Sequence, residues 1–211
     1  LLHCPWKKSR NRGLMKFKEL VAKNRSYRRF DQSKAISRDQ LKEWVDIARL
    51  VPCSVNAQPL KYLLINEPEL NAQVFAQISF AAFLKDWGGP AEGQRPAAYI
   101  LILGDTKIRQ KFDTDTGIAA QTILLAAAND GYGGVMMGAI NRDKLRELFG
   151  IPAHLELVLL LALGKPAEKV VVDELSEGQD TRYFRDEADV HHVPKRKLDE
   201  VLIWPEDLRR G

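Results

Sequence analysis

Two short segments concentrate the hydrogen-bonding chemistry of this chain. Asn24-Arg25-Ser26-Tyr27-Arg28-Arg29-Phe30 places three guanidiniums and a hydroxyl side by side, a donor density that suits a phosphate dianion held by charge-assisted hydrogen bonds. Pro52-Cys53-Ser54-Val55-Asn56-Ala57-Gln58-Pro59 sets hydroxyl and amide groups between two prolines. Proline stiffens a loop without adding donors, while Ser, Asn and Gln read the carbonyls and ring nitrogens of a polar heterocycle. Together the segments point to a phosphorylated, planar ligand. Each also has a plainer reading. The basic run could answer the dipole at a helix end, and the second segment could be a turn whose amides satisfy nearby backbone.

The elements that must position these segments are legible in the hydrophobic pattern. Phe17 to Asn24 reads as a short amphipathic helix delivering the basic run. Ser37-Arg38-Asp39-Gln40 has capping-box spacing, and Leu41, Trp44, Val45, Ala48 and Val51 form a helical stripe that Pro52 ends. Lys61 to Asn66 reads as a strand, and Pro68 opens a helix over Glu69 to Ile78. Ser79 to Arg95 is irregular and reads as an excursion or lid. Ala97 to Leu103 is apolar without alternation, which predicts a strand buried on both faces. A helix starting at Asp115 or Thr116 and stopping at Gly131 is apolar nearly all round, as a buried central helix would be. Val135 to Met137 makes a short strand, Asn141 caps a helix through Phe149, and Leu155 to Leu163 is another buried strand. Glu174 to His192 is polar and aperiodic, and Pro194 to Trp204 reads as a terminal arm.

The pairing of the two polar segments resembles the nitroreductase family of flavin enzymes, which share an Arg-Ser-x-Arg-x-Phe segment and a Pro-Ser-x-x-Asn-x-Gln-Pro loop. Asp115-Thr116-Gly117-Ile118-Ala119-Ala120-Gln121, Gly131-Tyr132-Gly133-Gly134 and Ala162-Leu163-Gly164-Lys165-Pro166-Ala167-Glu168 are similar to further landmarks, in the family's order. The resemblance runs from about Met15 to the C-terminus. It implies an α+β fold, a central, mainly antiparallel sheet flanked by helices, with a C-terminal arm exchanged in a homodimer that holds FMN at its interface.

By that resemblance Arg25 and Ser26 belong to the phosphate end, with Tyr27 a further cofactor contact beside them and Lys195, Arg196 and Lys197 returning from the C-terminal arm. Arg28 would lie at the flavin N1 and O2 edge, where a cation favours the reduced ring. Pro52, Cys53, Ser54 and Asn56 would contact the flavin from the neighbouring subunit, with Gln58 bracing the loop. Met137, Gly138 and Ala139 would line the edge at N5, the reactive atom, so no catalytic side chain is required. Asn24 stands where the family often has Arg, and Leu60 where it often has an aromatic residue. The implied activity is an FMN-dependent oxidoreductase in which NADH or NADPH reduces the flavin and a nitroaromatic, quinone or similar acceptor reoxidises it. Alternatives are a dehalogenating or oxygen-using flavoprotein of the same superfamily, and a protein that stores FMN without turnover. No Gly-x-Gly-x-x-Gly fingerprint is present, in keeping with a nucleotide that visits the flavin pocket.

Bulk properties narrow the classes. At 211 residues a single domain over 15–211 is the default, and residues 1–14 read as a non-native or disordered leader. The net charge of +4 comes from Lys7, Lys8, Arg10 and Arg12; from Met15 onward 28 basic residues face 28 acidic ones, which gives a nucleic-acid partner no support. The longest apolar run, Leu157 to Leu163, is far short of the roughly 18 residues of a membrane helix. Cys4 and Cys53 make no disulfide framework, and a cytoplasmic setting is expected. Cys53 has no evident base, Met136 and Met137 read as packing, and His191-His192 has no accompanying ligand pattern, so no metal is expected.

Overall fold

The computed structural model describes residues 16–80, 83–84, 87–176 and 178–209. The leader expected over 1–14 lies outside the described residues. The helices are α1 (Phe17–Lys23), α2 (Arg38–Ala48), α3 (Pro68–Phe75), α4 (Asp113–Asn129), α5 (Arg142–Phe149) and α6 (Leu198–Val201). The strands are β1 (Phe30–Asp31), β2 (Leu60–Ile65), β3 (Ala98–Asp105), β4 (Gly133–Met137), β5 (Leu155–Pro166), β6 (Val170–Glu174), β7 (Phe184–Arg185) and β8 (His191–Lys195).

The long strand β5 is the spine. It pairs antiparallel with β3 along one side and with β4 and β1 along the other, while β2 adds antiparallel to β3. Alternation of side chains across a strand explains why β3 is apolar throughout. Ile100 and Ile102 enter a core with Leu41, Trp44, Ile123 and Leu161, under α2 and α4. Tyr99, Leu101 and Leu103 enter a second core with Val74, Leu145 and Leu160, against α3 and α5. The sheet is thus covered by helices on both faces, the α+β architecture expected.

Local signals account for the helix ends. Ser37 and Gln40 close the predicted capping box of α2, and Asn141 accepts from the Lys144 N–H to cap α5. The indole of Trp44 is fully buried and donates to Asp130 Oδ2 at 2.8 Å, so a polar atom that burial would have orphaned ties α2 to the end of α4.

Two expectations are corrected. Helix α4 is open along one side in the single chain, with Ile118 38% exposed and nothing near Gly117, although its apolar circumference predicts burial all round. The polar stretch after Glu174 is ordered into a second sheet, in which β8 runs parallel to β6 and antiparallel to β7. Its strands are short and stabilised by side-chain pairing, so they leave no apolar periodicity to read. Among the described residues no helix is long and apolar enough to cross a membrane.

Candidate active site

The basic segment is held on β4. Ser26 bridges Gly134 in parallel, the Tyr27 N–H donates to the Gly134 carbonyl at 3.1 Å, and the Tyr27 ring fills the space that a Cβ on Gly133 would need. Small residues at 133 and 134 are therefore required by packing. Arg25 serves its helix end: Nε donates to the Asn24 carbonyl at 2.7 Å and one Nη to the Val21 carbonyl at 2.9 Å. This is the dipole-answering role of the plainer reading, and it leaves the other Nη for a ligand. Asn24 is buried and Ser26 exposed.

Arg28 sits deeper. Its Nη1 donates to the Ser26 carbonyl and faces His191 Nε2, both at 3.1 Å, and its guanidinium lies 4.6 Å from the centre of the Tyr183 ring. The main-chain N–H groups of Arg28 and Arg29 both donate to Glu168 Oε1, and Arg185 pairs with Glu168 Oε2 at 2.9 Å. Burial lowers the Arg28 guanidinium from its ordinary value, with Tyr183 and Glu168 opposing the shift. Burial also pushes His191 down to about 4, helped by the charge of Arg28.

The Pro52 loop lies elsewhere. Residues Ser54–Asn56 form a 3₁₀ turn in which Val55 (φ 49°) and Asn56 (φ 54°) are left-handed, followed by Gln58 (φ 51°). Val55 is 88% exposed, and a β-branched residue in that region carries strain. The loop is pinned to the first turn of α4 by the Ser54 N–H, which donates to Asp115 Oδ1 at 3.0 Å. Cys53 is half-buried, and its sulfur accepts from the Gln58 N–H at 3.2 Å. Behind the loop, Cys53, Gln58, Tyr62 and Asp115 line a cleft of about 220 Å³, and burial beside Cys53 pushes the Tyr62 hydroxyl up to about 12.

No hydrogen bond or ion pair among the described residues joins the two segments. Gly134, which carries Ser26, packs toward Leu124, and Leu124 is nine residues from Asp115, roughly 14 Å along the helix axis. Lys195 ends β8, and Arg196 and Lys197 lie between it and α6. Arg196 pairs with Glu200 at 3.6 Å, and among the described residues no hydrogen bond or ion pair joins the triplet to Arg25. Met137 is buried in the second core, while Gly138 and Ala139 are exposed.

Glu168, Tyr183, Arg185 and His191 gather around Arg28 and are not among the site residues that the sequence marks. Of these, Glu168 alone ends a segment similar to a family landmark. The His191-His192 pair carries no local signal beyond a metal-ligand type, and what marks His191 is its contact with Arg28 across the fold. Among the described residues no group of three potential ligands could hold a metal ion.

A twice-covered antiparallel sheet bearing a basic segment on one strand and a strained polar loop at a helix N-terminus defines a class, and comparison agrees. The Nitroreductase family pattern matches residues 21–165, and the chain belongs to that family. YdgI of Bacillus subtilis, which carries the name of an NAD(P)H nitroreductase, is 26% identical over 187 residues, covering 72% of this chain and 90% of that one. The crystal structure of a nitroreductase family protein from Clostridium novyi NT matches with a TM-score of 0.61 at 28% identity, over 72% of this chain and 87% of that one. A nitroreductase structure from Exiguobacterium sibiricum, solved in complex with FMN, matches with a TM-score of 0.61 at 22% identity, over 74% of this chain and 91% of that one.

Proposed function

We propose that the protein is an FMN-dependent oxidoreductase that takes reducing equivalents from NADH or NADPH and passes them to a nitroaromatic, quinone or similar small acceptor. Family membership, the name carried by YdgI and the FMN of the Exiguobacterium structure support this reading.

The observation that carries it is the layout of β4. Ser26 and its neighbouring donors attach at Gly134, and Gly138 opens into free space four residues on, roughly 13 Å along an extended chain. A Cβ on Gly138 would meet nothing within 4 Å, so the protein's own packing does not demand a glycine there. Donors at one end and unobstructed main chain at the other suit an elongated ligand with a phosphate and a flat ring. When bound, FMN supplies the hydride-accepting and hydride-donating chemistry. The chain would contribute position and charge: Ser26 and the remaining Nη of Arg25 toward the phosphate, with Tyr27 a further contact beside them, Arg28 toward the ring edge that gains negative charge, and the main chain of Met137, Gly138 and Ala139 along the reactive edge.

Pro52, Cys53, Ser54, Asn56 and Gln58 enter this scheme from a second copy, as do Lys195, Arg196 and Lys197. The separation of the Pro52 loop from Arg28, the open side of α4 and the exposed apolar residues Val201, Ile203 and Trp204 support a homodimer.

An absorption spectrum of the purified protein, followed by anaerobic titration with NADH and NADPH, tests the proposal. Bound yellow chromophore that bleaches with either nucleotide and recovers on adding a quinone is expected. A colourless protein that takes up no FMN overturns the reading, and a yellow protein inert to both nucleotides leaves a storage role in its place.

A further inference from the structure

The region around Arg28 holds three guanidiniums and two carboxylates, and the way they are shared leaves one charge over. Glu168, its side chain 2% exposed, is engaged by Arg185 and by the main-chain N–H groups of Arg28 and Arg29. Asp189 takes the Arg29 guanidinium and lies 3.8 Å from Arg185. Neither carboxylate bonds the Arg28 guanidinium. Its partners are the Ser26 carbonyl, the face of Tyr183 and His191 Nε2, all of them neutral groups once the imidazole is unprotonated.

The imidazole's state follows from geometry. Arginine only donates, so Nε2 at 3.1 Å must accept, and the ring proton must sit on Nδ1. His191 is 1% exposed and its Nδ1 is buried with no hydrogen-bond partner, so protonating Nε2 would set two donors face to face, while the Glu168 carboxylate, whose charge favours the protonated ring, is already engaged by Arg185 and two main-chain N–H groups. A carboxylate at this position would fix Arg28 equally well, but it would cancel the charge.

We infer that His191 is a positioning residue that holds the Arg28 guanidinium through a neutral acceptor, so that its positive charge is kept for negative charge developing on the bound cofactor. This rests on the FMN reading given above. The strand that delivers His191, β8, lies beyond residues 21–165, the part of the chain that matches the family pattern.

The test compares wild type, His191→Gln and His191→Glu as FMN-loaded proteins by the two-electron midpoint potential and by sulfite affinity of the oxidised flavin, which reports positive charge beside the ring. Gln keeps a neutral acceptor, and both quantities are expected within threefold of wild type. Glu is expected to weaken sulfite binding at least tenfold and to lower the potential by the same factor, about 30 mV for a two-electron couple. Nitrogen NMR of the unloaded wild type should show His191 neutral, with its proton on Nδ1, from pH 6 to 8; this readout survives a His191→Glu variant that fails to fold. Yellow variants with unchanged potential and sulfite affinity, or a His191 protonated at pH 6, overturn the inference and leave the flavin assignment standing. A colourless wild type overturns the flavin assignment and takes the inference with it.

Discussion

Arg185 and Glu168 form an ion pair at 2.9 Å with side chains only 10% and 2% exposed, and the same carboxylate gathers the main-chain N–H groups of Arg28 and Arg29. One side chain thereby joins the second sheet to the start of β1. With the Arg29–Asp189 pair and the Arg28–His191 contact, it attaches the C-terminal region to the segment that carries Arg28.

Glu168→Ala removes the close partner and leaves the buried Arg185 with only the more distant Asp189, 3.8 Å away, and the face of Trp87. A loss of about 3–5 kcal/mol in unfolding free energy is expected. Chemical denaturation measures it, and a loss below about 1 kcal/mol would show that Arg185 finds water instead.

The adjacent histidines predict opposite pH limbs. His191 is held to about 4 in the fold, so between that value and 6.5 the unfolded chain takes up a proton that the folded chain refuses, and stability falls as acid is added. His192 bonds Asp173 Oδ2 at 2.8 Å and Asp186 Oδ2 at 3.2 Å, which raise its value. Its contribution is full below 6.5 and is lost as the pH rises through the raised value. Melting temperature against pH should flatten on the acid side for His191→Gln and on the alkaline side for His192→Gln. Unchanged limbs in both variants would sink the assignment.

Two glycines of the same strand region separate packing from ligand space. A Cβ at Gly134 would lie 2.5 Å from the Ala162 carbonyl oxygen and 2.9 Å from a Leu124 methyl, so Gly134→Ala should cost about 1–3 kcal/mol. Gly138→Ala should leave stability within about 0.5 kcal/mol and weaken FMN binding, because nothing of the protein occupies that space. Fluorescence titration of FMN against each variant distinguishes the two.

Arg25 and Arg28 divide their work. Arg25→Ala frees two main-chain carbonyls and one ligand donor, so weaker FMN binding is expected with a near-normal reduction rate in the loaded fraction. Arg28→Ala should slow reduction by NAD(P)H more than it reduces flavin retention. Stopped-flow reduction with measured occupancy checks both; equal loss of flavin with normal rates would remove the distinction.

Val55→Gly tests the strained loop. Relieving a left-handed β-branched residue should stabilise the fold by about 1 kcal/mol, while the loosened Ser54–Asn56 turn should hold FMN less tightly. A melting temperature that falls would show that Val55 is covered in the assembled protein.

The chain's amino-acid order alone determined the helix caps at Ser37 and Asn141, the doubly buried strand around Ile100 and the two polar segments, because capping, alternation and donor density act over a few residues. It also carried the landmarks by which the family is recognisable. Tertiary structure alone decided that Arg28 meets Glu168, 140 residues away, and His191, 163 away, and that the polar stretch after Glu174 becomes a sheet. Such contacts join groups with several possible partners, and no periodicity marks which will be chosen. The choice falls when the two sheets pack, since a buried carboxylate must be paired and a buried imidazole beside arginine must stay neutral.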